Sequence, residues 1–202
     1  MKDQAHTLRK IFEGTTPPCP HVLSVTSGKG GVGKTSIVVN MSIILASRGR
    51  KVLVLDADLG LANIDVMLGL TPKYNIQHVL AGQCALEDII LEGPEGIRII
   101  PASSGIQELA DLTHEQQLCL MNSLDYFDQD IDYMIIDTGA GISRNVMYFN
   151  AASQRVIVVA TSEPTSITDA YALIKVLRKH YGIKRFDLIV NNVSSKVEGD
   201  QV

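Results

Sequence analysis

The sequence predicts an α/β domain with three layers: a mostly parallel, twisted sheet with helices packed on both faces. Three observations predict it. Six short apolar runs recur along the chain, VLSVTS (22–27), KVLVLD (51–56), IRIIP (97–101), YMIID (133–137), RVIVVAT (155–161) and FDLIVN (186–191). Each is brief, largely apolar and bounded by turn or polar residues, which is how a strand buried on both faces reads. Helical stretches lie between several of them, and that alternation implies parallel crossovers. Finally, the first run leads straight into a glycine-rich loop and then into a helical pattern.

Composition narrows the class. A chain of 202 residues fits one compact domain with room for a short appendage. Hydrophobic residues at 46% and charged residues at 20% exclude a disordered or collagen-like chain. Cys19, Cys84 and Cys119 match no CxxC pattern, which excludes a disulfide scaffold and suits a reducing compartment. The five histidines form no HExxH-type pair, so no zinc site is read. A net charge of −4 argues against nucleic-acid binding through bulk charge, and only a local basic patch would serve. No apolar run approaches the ~18 residues of a membrane span, and the first residues are mostly polar. The expected location is cytoplasmic.

The elements follow in order. In residues 1–14, Ala5, Leu8, Ile11 and Phe12 recur at helical spacing among charges of both signs. Residues 15–21 hold three prolines and read as a stiff linker. The N-terminal helix either folds back onto the domain or docks in a partner's groove. The domain proper is expected over 22–202. Its first helix shows no side-chain cap, and the glycine loop supplies its entry. A later helix is expected over Ser166–Tyr181, with Ile167, Ala170, Ile174, Leu177 and Tyr181 on one face and Arg178 and Lys179 near its end.

The chemistry begins at Gly28-Lys29-Gly30-Gly31-Val32-Gly33-Lys34-Thr35, which is GxxxxGK[ST] between a strand and a helix. Glycines let successive backbone N–H groups turn onto phosphate oxygens, the following helix points its positive end at them, and the run from Gly28 to Ser36 is expected to bind the nucleotide. Lys34 is expected to reach the β- and γ-phosphates and the Thr35 hydroxyl to bind Mg²⁺. Lys29 is a second cation that approaches a γ-phosphate from the same chain or from a neighbouring one, in the manner of an arginine finger. Asp56 and Asp58 close the second strand, where ligands bind in such sheets. One is expected to hold Mg²⁺ or its waters, the other to orient an attacking water. Asp137 ends the fourth apparent strand and is the expected carboxylate for a magnesium-bound water. Gly139 follows, where a backbone N–H swings toward a γ-phosphate. An Asn-Lys-x-Asp guanine reader is lacking. Asn191 stands after the last strand instead, and its amide favours ATP over GTP.

These segments resemble the MinD/ParA family of ATPases. GKGGVGKT (28–35) looks like its deviant phosphate loop, a P-loop NTPase motif. Asp56 to Leu70, Ser162 to Lys175 and Asp3 to Arg9 are similar to its flagellar-number regulators, the FlhG/FleN group. The resemblance implies that Lys29 is the signature lysine reaching the nucleotide of the partner subunit. It implies that Lys34 and Thr35 hold the β/γ-phosphates and Mg²⁺, that Asp58 positions the hydrolytic water beside Asp56, and that Asp137 and Gly139 serve the metal shell and the γ-phosphate. Asn191 becomes the adenine reader, and Glu163 and Pro164 become contacts to the partner's nucleotide. It further implies slow, partner-regulated ATP hydrolysis, an ATP-driven homodimer, and an N-terminal DQAxxLR helix (Asp3, Gln4, Ala5, Leu8, Arg9) that stimulates an FlhF-like GTPase. Flagellar switch proteins and a flagellar transcription regulator are the other partners implied. Membrane attachment at the inner face of the cell membrane is expected through a C-terminal helix that this chain lacks, so the domain is expected to be C-terminally incomplete. The alternative within the family is a partition ATPase of the ParA type, binding DNA non-specifically as an ATP dimer; the acidic balance speaks against it.

Overall fold

A computed structural model of the chain describes residues 20–58, 63–102, 113, 115–116 and 131–202. The expected N-terminal helix, with Asp3, Gln4, Ala5, Leu8 and Arg9, lies outside the described residues, as do the linker up to Cys19 and also Cys119.

Seven strands are described: β1 His21–Ser27, β2 Val52–Ala57, β3 Leu91–Glu92, β4 Arg98–Ile100, β5 Tyr133–Ala140, β6 Arg155–Thr161 and β7 Asp187–Asn191. They form one sheet in the order β3-β4-β2-β5-β1-β6-β7. All neighbours are parallel except the short edge pair β3–β4. All six expected runs are strands. β3 was not legible because it is two residues long and half charged, too short for any period to show.

The helices are α1 Lys34–Ser47, α2 Ile64–Leu68, α3 Ile76–Leu80, α4 Arg144–Ala152, α5 Pro164–Tyr181 and α6 Lys196–Asp200. Alternation along each strand divides the core in two. Val38 and Val39 of α1 pack with Val25, Val54 and Ile135 on one face. On the other, Leu53, Leu55, Met134 and Ile136 meet Phe149 of α4. Val156, Val158 and Ala160 meet Val146 of α4 and Ala170, Leu173 and Leu177 of α5. The three-layer α/β architecture is therefore present.

One helical face differs from expectation. The buried line of α5 is Ser166, Ala170, Leu173 and Leu177, whereas Tyr181 is 44% exposed. Leu173 lies three residues after Ala170 and four before Leu177, so it shares their side. Tyr181 sits in the last turn before left-handed Gly182, beyond the packed length.

The topology positions the site. β2, β5 and β1 are adjacent and parallel, so their C-terminal ends open at the same rim. Ser27, Asp56 and Asp137 stand at that rim, and Asp56 is directly in register with Asp137.

Candidate functional site

The loop from Gly28 to Gly33 joins β1 to α1. Gly33 caps α1 in the left-handed region, at φ 93°, without a side-chain cap. A side chain there would be strained and would also strike the Asn191 amide, 2.5 Å from the position of a Cβ. At Gly28 a Cβ would lie 2.2 Å from the backbone carbon of Asp169. The loop therefore starts pressed against the backbone of α5, and only glycine fits. Together with the start of α1 it walls a cleft of about 560 Å³, lined by Gly30, Gly31, Gly33, Lys34, Thr35, Ser36, Asp58, Asn63 and Ala140.

The three carboxylates behind and beside this cleft differ in their partners. Asp56 is buried and accepts the backbone N–H groups of Asp58 (3.2 Å), Asn63 (3.1 Å) and Ile64 (3.3 Å). It organises the backbone on either side of residues 59–62 and the entry to α2. Burial pushes its pKa up to about 7; the Asn63 N–H opposes the rise and the facing Asp137 adds to it. Asp58 lines the cleft itself, also raised by burial and drawn back by Lys34. Asn63 donates to it at 3.4 Å.

Asp137 is 1% exposed, and neither carboxylate oxygen has a hydrogen-bond partner among the described residues. Burial pushes its pKa up to about 6 against the nearby Thr35 hydroxyl and Lys34 ammonium. A buried, orphaned carboxylate beside a second carboxylate and a hydroxyl is a hard-oxygen set, and such a set fits Mg²⁺. No group of three or more His, Cys, Asp or Glu among the described residues is placed to hold a metal alone.

Lys29 does not line the cleft. Its ammonium pairs with Glu163 Oε2 at 2.5 Å and donates to Thr165 Oγ1 at 3.0 Å, at the start of α5. Asn191 Nδ2 donates to the Val32 carbonyl at 2.9 Å, which ties the end of β7 to the phosphate loop. One amide hydrogen and the amide oxygen remain for a ligand. Gly139 leaves room for Asp58, whose Oδ1 would stand 3.4 Å from a Cβ at that position. Sequence reasoning singled out neither Asn63 nor Ala140. Their loops close on the cleft only through the tertiary fold, and the one available signal was the position of Asn63 within the 56–70 segment.

A family model described as an AAA domain matches residues 20–189. The antiactivator FleN of Pseudomonas aeruginosa is 49% identical over 178 residues, which are 88% of this chain and 64% of that protein. The flagellum site-determining protein YlxH of Helicobacter pylori is 41% identical over 177 residues, 88% of this chain and 60% of that protein. The chain thus spans less than two thirds of either relative. Among solved structures, the septum site-determining protein MinD from Pyrococcus horikoshii OT3, complexed with Mg-ADP, superposes with a TM-score of 0.69 at 29% identity. That match covers 84% of this chain and 68% of that one.

Proposed function

The chain belongs to the AAA-domain family, in its MinD/ParA branch of phosphate-loop ATPases, and from that premise we propose that it binds and hydrolyses MgATP as a switch in flagellar number and placement. The observation that carries the reading is the orphaned Asp137 carboxylate beneath a cleft walled by the phosphate loop. Thr35 and Asp137 would hold the ion and its waters, with Asp56 fixing the adjoining backbone. When bound, Mg²⁺ neutralises charge developing on the phosphate oxygens.

The chain's own residues do the rest. Backbone N–H groups of the loop and the start of α1 receive the phosphates, and Lys34 places its ammonium on the β- and γ-oxygens. Asp58, at the cleft wall and steadied by Asn63, orients the attacking water. Asn191 offers its free N–H to a purine ring nitrogen while anchored to Val32. Binding of a fluorescent ATP analogue and phosphate release test this together. Lys34→Ala should abolish binding. Asp58→Ala should keep binding and lose about a hundredfold in phosphate release. A wild-type chain that binds no nucleotide with Mg²⁺ contradicts the reading.

The regulatory part of the proposal rests on Lys29, which is turned away from its own cleft toward Glu163. In an ATP-bound homodimer it would serve the partner's nucleotide, and ADP would return the monomer. The name of YlxH, a flagellum site-determining protein, supports the flagellar assignment. The N-terminal segment with Asp3, Gln4, Ala5, Leu8 and Arg9 would stimulate an FlhF-like GTPase. Switch proteins and a transcription regulator are further partners. A cytoplasmic location belongs to the same proposal, with peripheral attachment of the ATP state at the inner face of the cell membrane. No helix among the described residues is long and apolar enough to cross a membrane. A synthetic peptide of residues 1–14 that leaves the GTPase rate of FlhF unchanged would remove the GTPase partner from this account.

A further inference from the structure

β1 lies between β5 and β6 in the sheet, with helices on both faces. A strand in that place is ordinarily apolar throughout. Leu23 and Val25 follow the rule on the α1 side. Ser24 and Thr26, which alternate with them, do not, and both are fully buried. Their hydroxyls meet a third fully buried polar side chain, Asn150 of α4. Ser24 Oγ donates to Asn150 Oδ1 at 2.8 Å. Asn150 Nδ2 donates to Thr26 Oγ1 at 3.3 Å and to the Val146 carbonyl of its own helix at 2.7 Å. None of the three lines the nucleotide cleft.

Packing alone does not call for this cluster. Apolar side chains of the same volume would fill the space without the cost of desolvating polar groups. What the cluster adds is register. Apolar surfaces tolerate sliding, whereas these three groups are satisfied together in one arrangement. Both sides of that register lead to the cleft. Thr26 stands two residues before Gly28, and the Ser27 hydroxyl between them donates to the Lys29 carbonyl at 2.7 Å. On the other side, Ser143 caps α4 by accepting the Val146 N–H at 3.4 Å. Ser143 closes the turn that follows Gly139 and Ala140, and the Gly141 N–H in that turn donates to the Ser27 carbonyl at 2.9 Å. Asn150 lies about 10 Å further along the helix axis.

We propose that Asn150 is a positioning residue: held by Ser24 and Thr26, it fixes α4 against the strand that carries the phosphate loop, and so sets the place of residues 139–143 relative to that loop. The inference rests on the nucleotide reading only for what those residues then do, which is to meet a γ-phosphate.

The test replaces the whole cluster, because Asn150→Ala alone would strand two buried hydroxyls. Ser24→Ala, Thr26→Val and Asn150→Leu together remove donors and acceptors at once. This triple variant should melt cooperatively within about 5 °C of the wild type. It should bind the ATP analogue with a Kd within about threefold of the wild type. Single-turnover phosphate release should be about tenfold or more slower, since a small misplacement at the reacting group is costly. Amide hydrogen exchange without nucleotide should rise severalfold at residues 139–143 and stay unchanged in α1. Thr26→Val alone, which leaves Ser24 on Asn150, should move both readouts the same way by less. A folded triple variant that releases phosphate at the wild-type rate overturns the proposal. So does exchange that rises equally in α1, which would make the cluster a plain stabiliser of the core. A wild-type chain that hydrolyses no ATP removes the nucleotide reading, and the exchange then decides the positioning role by itself.

Discussion

Asp56 and Asp137 face each other in register on β2 and β5, and the fold treats them differently. Among the described residues Asp56 has three backbone donors and Asp137 none. A buried carboxylate left unrelieved is a stability cost held for a ligand. Asp137→Asn keeps the shape and removes the charge. Calorimetry at neutral pH should therefore show the nucleotide-free variant melting several degrees higher, on the order of 1–2 kcal/mol of relief, while Mg²⁺-dependent nucleotide binding falls. A lower melting temperature would mean that Asp137 is structural. At this scale the phosphate loop was legible in the sequence because its residues are contiguous and their spacing is the mechanism. The direction of Lys29 was not, because Glu163 and Thr165 lie more than 130 positions away and only packing brings them near. Asp137 was singled out because an Asp closes the apolar run YMIID; β5 in fact runs on to Ala140, and the lack of donors to Asp137 depends on every neighbour around it.

At the scale of elements, α5 has two faces of different character. Its inner line is packed against β6 and α4, and its outer line is basic and aromatic. Leu173 is fully buried, so Leu173→Ala should cost about 2–5 kcal/mol in denaturant unfolding. Tyr171→Ala, on the outer face, should stay within about 0.5 kcal/mol. Equal losses at both positions would contradict the division. The strands were readable from sequence because each is an apolar run flanked by polar residues, and their bounds shift by only a few residues in the structure. The face of α5 was read in part: Ala170 and Leu177 are buried as expected, Ile167 and Ile174 are half-buried, Tyr181 is exposed, and Ser166 and Leu173 were missed, because a Tyr at helical spacing looks like core until the helix outruns the sheet. Gly28 shows the same limit: its motif position was plain, but its need to clear Asp169 was not.

At the scale of the molecule, the loop, the carboxylates and the start of α5 form one connected unit. Gly28 abuts Asp169, Lys29 reaches Glu163, and Asn191 holds Val32. A γ-phosphate entering the cleft would meet Lys34 and Asp58 and, through the loop, bear on α5 and on a second copy. The central claim is therefore that ATP and ADP specify different assemblies, with Lys29 serving the opposite subunit. The most direct measurement is solution mass by light scattering, for the wild type and for Asp58→Ala, each with MgATP and with MgADP. The account predicts a doubled mass for Asp58→Ala in ATP, a monomer in ADP, and loss of the doubled mass on adding Lys29→Ala. One unchanged mass in both nucleotides, with ATP shown to be bound, would contradict it.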